Sequence, residues 1–576
     1  MLMINSNMVL NNFKKIPIWS TFLAFATSIS WLMPHHYYPW LAMHSDAWIS
    51  ASFIIFSFYC LTKYKSIFDW SLISVITSIT ALLPWINLNM DLPQIHGNSG
   101  IVSAYLLGFL LAQLVGAYSE TRSPRQLLDS LFIAIVLATF ISVGLQLQQW
   151  LQTESSAIWT MGGSPVRPHA NLGQPNQLAT LLLWGVLAAG WYWVRGTLSA
   201  TTSIFMACFL LFGLALTGSR TAWLAVMFLL AAAWAWRRHW RTALAPWAFT
   251  ALAGYFALCV AFVAWATPFL ISNNTLPSSV LATNSTAHRW HAWILFFDAI
   301  AQRPWFGYGW NQTALAQMEV AIHHPNLGGV FSFAHNLFLD LIIWCGIPLG
   351  LAFIFFIIYW MWRNLRAVNN AENAILMMLL LVVVNHAMLE MPLYYAYFLL
   401  PVGFVIGALN VRHRAKVIFS TGRGPVVALW FVCTLLLGLI IKDYLEVEEN
   451  HKYLRYEQMR IKVKAMDPPD VILLTQWHDQ IELARFEPTT NMAPARLKQM
   501  QDIVGVYPSA LFAHKMATAL ALNHDPDGAR LWLQRLCKIS PEDQCKSAEI
   551  IWAKQALKHP GIAAIAWPVN THSSGK

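Results

Sequence analysis

Residues 331–350 read Phe-Ser-Phe-Ala-His-Asn-Leu-Phe-Leu-Asp-Leu-Ile-Ile-Trp-Cys-Gly-Ile-Pro-Leu-Gly, and the apolar run they open continues to Trp362. A run of that length is a membrane-spanning helix by its apolarity alone. The polar pair His335-Asn336 stands at its mouth, a long loop precedes it, and Arg363 and Arg366 close it. Polar or ionisable groups at the edge of a spanning helix are costly to desolvate and are functional candidates by default. His335 is read as facing a cavity at the extracytoplasmic membrane surface, where it can take a proton from an acceptor hydroxyl.

The rest of the chain agrees with a membrane setting. It has 576 residues, 57% hydrophobic and 11% charged, with a mean hydropathy of +0.48; soluble domains carry about 25% charged residues. Apolar segments fall at roughly 16–34, 46–62, 66–87, 101–118, 127–147, 177–194, 199–216, 221–236, 245–266, 335–362, 373–389, 395–410 and 424–441. The expected fold is an all-α polytopic bundle of about 12–13 spans whose partner is the lipid bilayer. The net charge of +10 suggests nucleic acid at first sight. The basic residues lie in short loops between apolar runs, however, so they report topology and no nucleic-acid partner is expected.

With a cytoplasmic N-terminus, the inner loops hold Lys14, Lys15, Lys63, Lys65, Arg122, Arg125, Arg195, Arg237, Arg238, Arg241, Arg363, Arg366, Arg412, Arg414, Lys416 and Arg423. The outer loops hold only Arg167, Arg220, Arg289 and Arg303. This sorting follows the positive-inside rule and puts the region after residue 442 outside the cytoplasm. The four exceptions have no topological reason to be there, so each is a candidate for binding an anion, the alternative being contact with lipid phosphate. Lys14 and Lys15 read as part of an uncleaved start anchor.

Three loops on the outer side carry the chemistry. Residues 167–177 read Arg-Pro-His-Ala-Asn-Leu-Gly-Gln-Pro-Asn-Gln before an apolar helix. Prolines and a glycine fix the path, and Arg167, His169, Gln174, Asn176 and Gln177 supply donors for a ligand; Asn176 as a helix cap explains only one of them. Thr217-Gly218-Ser219-Arg220 puts a guanidinium at the tip of a helical hairpin, a geometry suited to bidentate recognition of phosphate. Residues 267–334 form the longest loop; Arg289 and Asp298 interrupt an amphipathic stretch expected to lie on the membrane rather than cross it. His323 and His324 could join His335 on zinc, but no carboxylate or cysteine completes a usual ligand spacing, so no metal is expected. His35, His36 and His44 read as interfacial residues. His386 and Glu390 stand four apart on one helical face, followed by Tyr394; a structural contact and a role in the site both remain open.

After residue 442 charges return and the pattern becomes helical at 445–466, 472–486, 492–505, 508–523, 526–538 and 542–558. The stretch 508–538 resembles a tetratricopeptide-type hairpin, suggesting an acceptor-docking module. Residues 561–576 are expected to be a disordered tail. Cys537 and Cys545 lie in this region and would be free to pair if it is exported. The other five cysteines fall in apolar runs and read as packing residues.

The strings at 167–177, 217–220, Arg303-Pro304-Trp305-Phe306-Gly307-Tyr308-Gly309, Ala334-His335-Asn336 and 386–393 together resemble the O-antigen ligase and polymerase superfamily, and within it the bacterial protein O-oligosaccharyltransferases of the PglL type. The resemblance implies a GT-C-like inner-membrane glycosyltransferase with no metal and no cofactor. Such enzymes take a glycan from undecaprenyl pyrophosphate on the periplasmic side and transfer it en bloc to Ser or Thr of exported proteins, often pilins. The essential loop histidine of that family matches His335, and its arginine after Gly-Ser matches Arg220. The expected architecture is a transmembrane domain over 1–441, with loops 148–176 and 267–334 forming the site, and a periplasmic helical domain over 442–560. In the expected site His335 is the general base, and Arg220, Arg167, Arg289, His169, Gln174, Asn176, Gln177, Asn336, Glu390 and Tyr394 bind substrate. Alternatives are ligation of O-antigen to a core lipid, O-antigen polymerisation, or flipping of a lipid-linked glycan without bond chemistry; the last should show inverted repeats and charges deep in the spans, which the sequence lacks.

Overall fold

The computed structural model describes residues 18–63, 67–86, 93, 95–153, 159–270, 285–463 and 466–568. Lys14 and Lys15 of the expected anchor therefore lie outside the described residues. The chain is 74% helical with almost no sheet. In order it forms α1 (Ile18–Leu32), α2 (Met43–Lys63), β1 (Phe68–Ser71), α3 (Leu72–Thr80), α4 (His96–Arg122), α5 (Gln126–Leu151), α6 (Pro175–Val194), α7 (Ala200–Leu216), α8 (Arg220–Ala235), α9 (Ala245–Leu270), α10 (Ser285–Gln302), α11 (Thr313–Val320), α12 (Leu337–Ala367), α13 (Ala371–Ala387) and α14 (Ala396–Arg412). Then come β2 (Val417–Thr421), α15 (Arg423–Gln458), α16 (Thr475–Arg485), α17 (Pro494–Val506), α18 (Ala510–Leu522), α19 (Pro526–Ile539), α20 (Glu542–Ala556) and α21 (Pro560–Ala563).

Among the described residues seven helices are long and apolar enough to cross a membrane: α2, α4, α5, α6, α9, α12 and α15. The other six expected spans coincide with shorter apolar helices. The segment expected at 66–87 departs most. It opens as a strand, β1, antiparallel to β2, and its helix α3 has nine residues, about 13 Å at 1.5 Å per residue. At the other end, the last span and the first expected soluble helix are one element. α15 runs 36 residues, about 54 Å, because no proline or turn signal interrupts 426–458.

The chain divides into two compact units, one of residues 1–81, 104–280 and 358–438, the other of 82–103, 281–357 and 439–576. In the first, α4 and α14 approach closely through glycines. A Cβ at Gly116 would lie 2.2 Å from the Phe404 carbonyl oxygen, and one at Gly407 would lie 2.0 Å from that of Gln113. Small residues of this kind let backbones meet where lipid gives no hydrophobic drive for helix association. Helix starts follow side-chain caps: Ser199, Ser219 and Asn370 accept the N–H of Thr202, Ala222 and Asn373 respectively.

In the second unit α12 is broken at Gly346, where φ is +74°. Groups freed by the break are met by the Pro304–Gly309 segment. Ile347 N–H donates to Pro304 O (2.7 Å), Tyr308 N–H to Ile343 O (2.8 Å) and Gly309 N–H to Trp344 O (3.0 Å). Unsatisfied backbone groups are expensive at membrane depth, so this string of the family resemblance has a structural task. The C-terminal helices of this unit bury a core that includes Met500, Met516, Trp532 and Leu533. Within residues 561–567, expected as part of the tail, 561–563 complete α21 (Pro560–Ala563), and Ile562 and Ile565 dock in that core; residues 569–576 lie outside the described residues. Cys537 and Cys545 form a disulfide joining α19 to α20.

Candidate functional site

The 167–177 loop of the first unit is shaped from below by two glutamines of α5. Gln149 Oε1 accepts the N–H of His169 (3.0 Å) and Ala170 (2.8 Å), while its Nε2 donates to the Ala170 carbonyl (3.1 Å). Gln146 Nε2 donates to Pro168 O and Gly213 O. Ala170 sits at φ +52°, a left-handed conformation that costs energy for any residue with a Cβ and that these bonds hold. Asn171 Nδ2 donates to Leu32 O and Trp159 O. The loop is thus preset before any ligand arrives. Neither glutamine was singled out from sequence, although an amide inside an otherwise apolar span is the signal that marks them.

Where α6 begins, the expected binding residues are drawn into one polar network. Gln174 caps α6 by accepting the Gln177 N–H at 2.8 Å, with Gly173 at φ +73° before it and Pro175 in the first turn. Its amide N–H donates to Glu390, as does Asn176 Nδ2 at 2.6 Å. Asn176 Oδ1 accepts from Ser219 Oγ (2.6 Å), and Gln177 Oε1 accepts from Tyr397 OH (2.6 Å). His386 Nε2 lies 3.4 Å from Glu390 Oε2, with Thr180 Oγ1 on its other ring nitrogen at 2.8 Å. Burial alone would raise the Glu390 pKa. The hydrogen bond and charge of His386 and the two amides outweigh it and bring the carboxyl down to about 2. Tyr394, half-buried, sits in the turn between Glu390 and α14.

The network places two guanidiniums at its rim. Arg167 donates from Nε to Thr217 O at 3.3 Å beside Gly218, whose φ is +56°. Partial burial lowers the Arg167 pKa, the Glu390 carboxylate pulls it back up, and the Arg220 charge lowers it again. Arg167 therefore lies within Coulombic reach of both Glu390 and Arg220, and the two arginines are exposed at the surface. His169 is half-buried beside them, its Nδ1 3.0 Å from the Ala170 carbonyl oxygen. Two cations held apart from their local carboxylate by neutral amides can receive a dianionic group.

The second unit holds His335 and Asn336. Asn336 Oδ1 caps α12, accepting the N–H of Phe338 (3.0 Å) and Leu339 (3.1 Å). His335 precedes it at φ +56°, a strained value for histidine. The conformation is imposed through the neighbouring residue: Ala334 N–H donates to both carboxylate oxygens of Asp340 (2.9 and 3.1 Å), and its carbonyl accepts Trp293 Nε1–H at 2.9 Å. Asp340 is fully buried and also accepts Thr313 Oγ1–H at 2.8 Å, whose oxygen takes Trp344 Nε1–H. The half-buried imidazole meets Phe331 and Phe333 edge-on at 5.8 and 4.9 Å. Asp340 was not among the expected site residues; a lone carboxylate five residues after His335 in an apolar run was the available clue. Arg289 lies half-buried in the first turns of α10, and Arg303 at its far end stacks on Tyr308 at 5.6 Å. His324 pairs with Asp298 at 3.1 Å. Among the described residues the one cluster with metal-ligand spacing is His478, Asp479 and Glu482, and it contains none of the histidines considered for zinc.

The helices define a multi-pass membrane protein, and comparison with known proteins shows what it is similar to. The family model for O-antigen ligase matches residues 204–354, that for protein glycosylation ligase matches 168–193, and that for the C-terminal part of virulence-factor membrane-bound polymerase matches 374–554. The chain is 29% identical over 533 residues to the general O-oligosaccharyltransferase of Acinetobacter baylyi, covering 90% of this chain and 91% of the relative. It is 25% identical over 415 residues to the ComP-specific O-oligosaccharyltransferase of the same organism, covering 72% and 75%. Both of these relatives are O-oligosaccharyltransferases, a kind of glycosyltransferase, and the first matches this chain over nearly its whole length.

Proposed function

We propose that this protein transfers a preassembled glycan en bloc from undecaprenyl pyrophosphate to Ser or Thr hydroxyls of exported proteins such as pilins, at the periplasmic face of the bacterial inner membrane. The observation that carries the reading is His335, held at a left-handed φ by hydrogen bonds to its neighbour Ala334, in a chain whose relatives are O-oligosaccharyltransferases. A hydroxyl is a poor nucleophile near neutral pH, and a positioned imidazole suits that range. The base contributes typically about 10²–10⁴-fold.

In the proposed step His335 takes the hydroxyl proton as the acceptor oxygen attacks the anomeric carbon. The bond from that carbon to the pyrophosphate oxygen breaks, with inversion, and the leaving group departs with one further negative charge. Arg220, Arg167 and Arg289 are assigned to that charge, since fixed cations stabilise it as it develops. Glu390, with Gln174, Asn176 and Gln177, orients the arginine-bearing loops; His169, Tyr394 and Asn336 line the substrate. The disulfide at 537–545 supports an exported C-terminal region, because such bonds persist in oxidising compartments.

The O-antigen ligase match over 204–354 favours one second reading, a core-lipid acceptor. Purified protein incubated with undecaprenyl-pyrophosphate oligosaccharide and either a pilin or a core lipid, followed by intact-mass analysis, decides between them. Glycan mass on the pilin is the expected result. Mass on the core lipid alone overturns the protein-acceptor reading.

A further inference from the structure

We infer that Asn326 is a positioning residue for His335, fastening the loop that carries it to the end of α19. The inference deepens the reading of His335 as the base and rests on it. Asn326 is an exposed residue of the 321–334 segment. Its Nδ2 donates to two carbonyls at the C-terminus of α19, Cys537 O at 2.7 Å and Ser540 O at 2.8 Å. Its Oδ1 accepts the Gly328 N–H at 2.6 Å. One planar amide therefore satisfies carbonyls that a helix end leaves without partners and also fixes the turn of its own loop. Lys538 Nζ adds a bond to His324 O at 2.8 Å. The Cys537–Cys545 disulfide lies in the same turn, so the carbonyls that Asn326 grips are themselves held covalently.

The fastening continues to the imidazole. Gln317 of α11 donates to Gly329 O (2.9 Å) and accepts the Phe331 N–H (2.7 Å), and the Phe331 ring is one of the two that meet His335. Met318 and Ala321 belong to the core of the C-terminal helices, and Val330 packs against it. The loop is therefore built on those helices, and their task includes holding it in register for the base. The chemistry asks for asparagine specifically. Aspartate has the same shape but offers no N–H, and it would set a negative charge against the negative end of a helix.

The test uses full-length protein in detergent, comparing wild type with Asn326→Ala and Asn326→Asp. Transfer is measured from undecaprenyl-pyrophosphate oligosaccharide to a pilin, and amide hydrogen exchange is followed over 328–336 and over α17–α20. Both variants should lower kcat by about 10- to 100-fold, the range that small misplacements of a catalytic group produce. The donor KM should stay within about 2-fold. Exchange should accelerate over 328–336 while α17–α20 keep their protection. Unchanged kcat, unchanged exchange over 328–336, or an aspartate variant that behaves as wild type would overturn the inference. Loosening of α17–α20 along with the loop would also overturn it, since Asn326 would then be holding the helices. A parallel His335→Ala arm separates the two claims: transfer retained there removes the base, while the exchange data still judge the fastening.

Discussion

The 167–177 loop and the His335 loop solve the same problem in opposite ways. In the first, side chains hold side chains: Gln174, Asn176, Ser219 and His386 converge on or near one carboxylate, Glu390. In the second, a buried carboxylate and an indole hold the backbone of Ala334, and the histidine beside it inherits its orientation. The difference teaches what each centre is suited for. A network of amides around a buried charge makes a stiff rim for presenting cations. A backbone clamp fixes where an imidazole stands without making that imidazole part of the scaffold.

The contrast can be broken by mutation. His335→Ala should reduce transfer by about 10²–10⁴-fold with membrane insertion and melting behaviour unchanged; a variant that unfolds would mean the ring is part of the scaffold after all. Asp340→Ala should come next, lowering kcat by about 10- to 100-fold through the displaced clamp and also lowering thermal stability, because the Ala334 N–H and Thr313 hydroxyl lose a buried acceptor. Stability loss without a kcat change would uncouple the clamp from catalysis. Arg220→Lys should weaken donor turnover by about 10-fold if the guanidinium fork contacts phosphate, and equal turnover would leave the rim without that role.

The smallest expected effect is a difference in acid sensitivity. The depressed Glu390 pKa means its stabilisation is complete above the ordinary 4.5 and lost as pH falls toward about 2. His514 in α18 is buried against Trp552. Burial, and then the Lys515 charge, lower its pKa to about 4. The unfolded chain then binds protons that the folded one does not, so that stabilisation is complete above 6.5 and lost between 6.5 and about 4. Hydrogen exchange across pH 7 to 3 should show α18 loosening before the Glu390 network, and the reverse order would contradict both assignments.

Much of this was legible from residues alone, because membrane helices must be apolar and cations sort by side. The helices after residue 470 were found to within about three residues at each end from their helical pattern, and caps such as Ser509 and Asp525 stand at their observed starts. The span expected at 66–87 was misread because hydropathy cannot see that Phe68–Ser71 pairs with Val417–Thr421, 350 residues away. In the site, Arg167, Arg220 and Glu390 emerged from sorting and spacing. Gln149, Asp340 and Asn326 did not, because each acts by gripping backbone, and which backbone it meets is a property of the fold.

The break in α12 has a consequence for how these chains can diverge. A Cβ at Gly307 would lie 2.4 Å from the Ile343 carbonyl oxygen, and one at Gly346 would lie 2.3 Å from that of Trp305. Each glycine sits against the segment that carries the other, so neither position can vary alone. Across distant relatives the two sites should behave as a single heritable character, kept together or abandoned together.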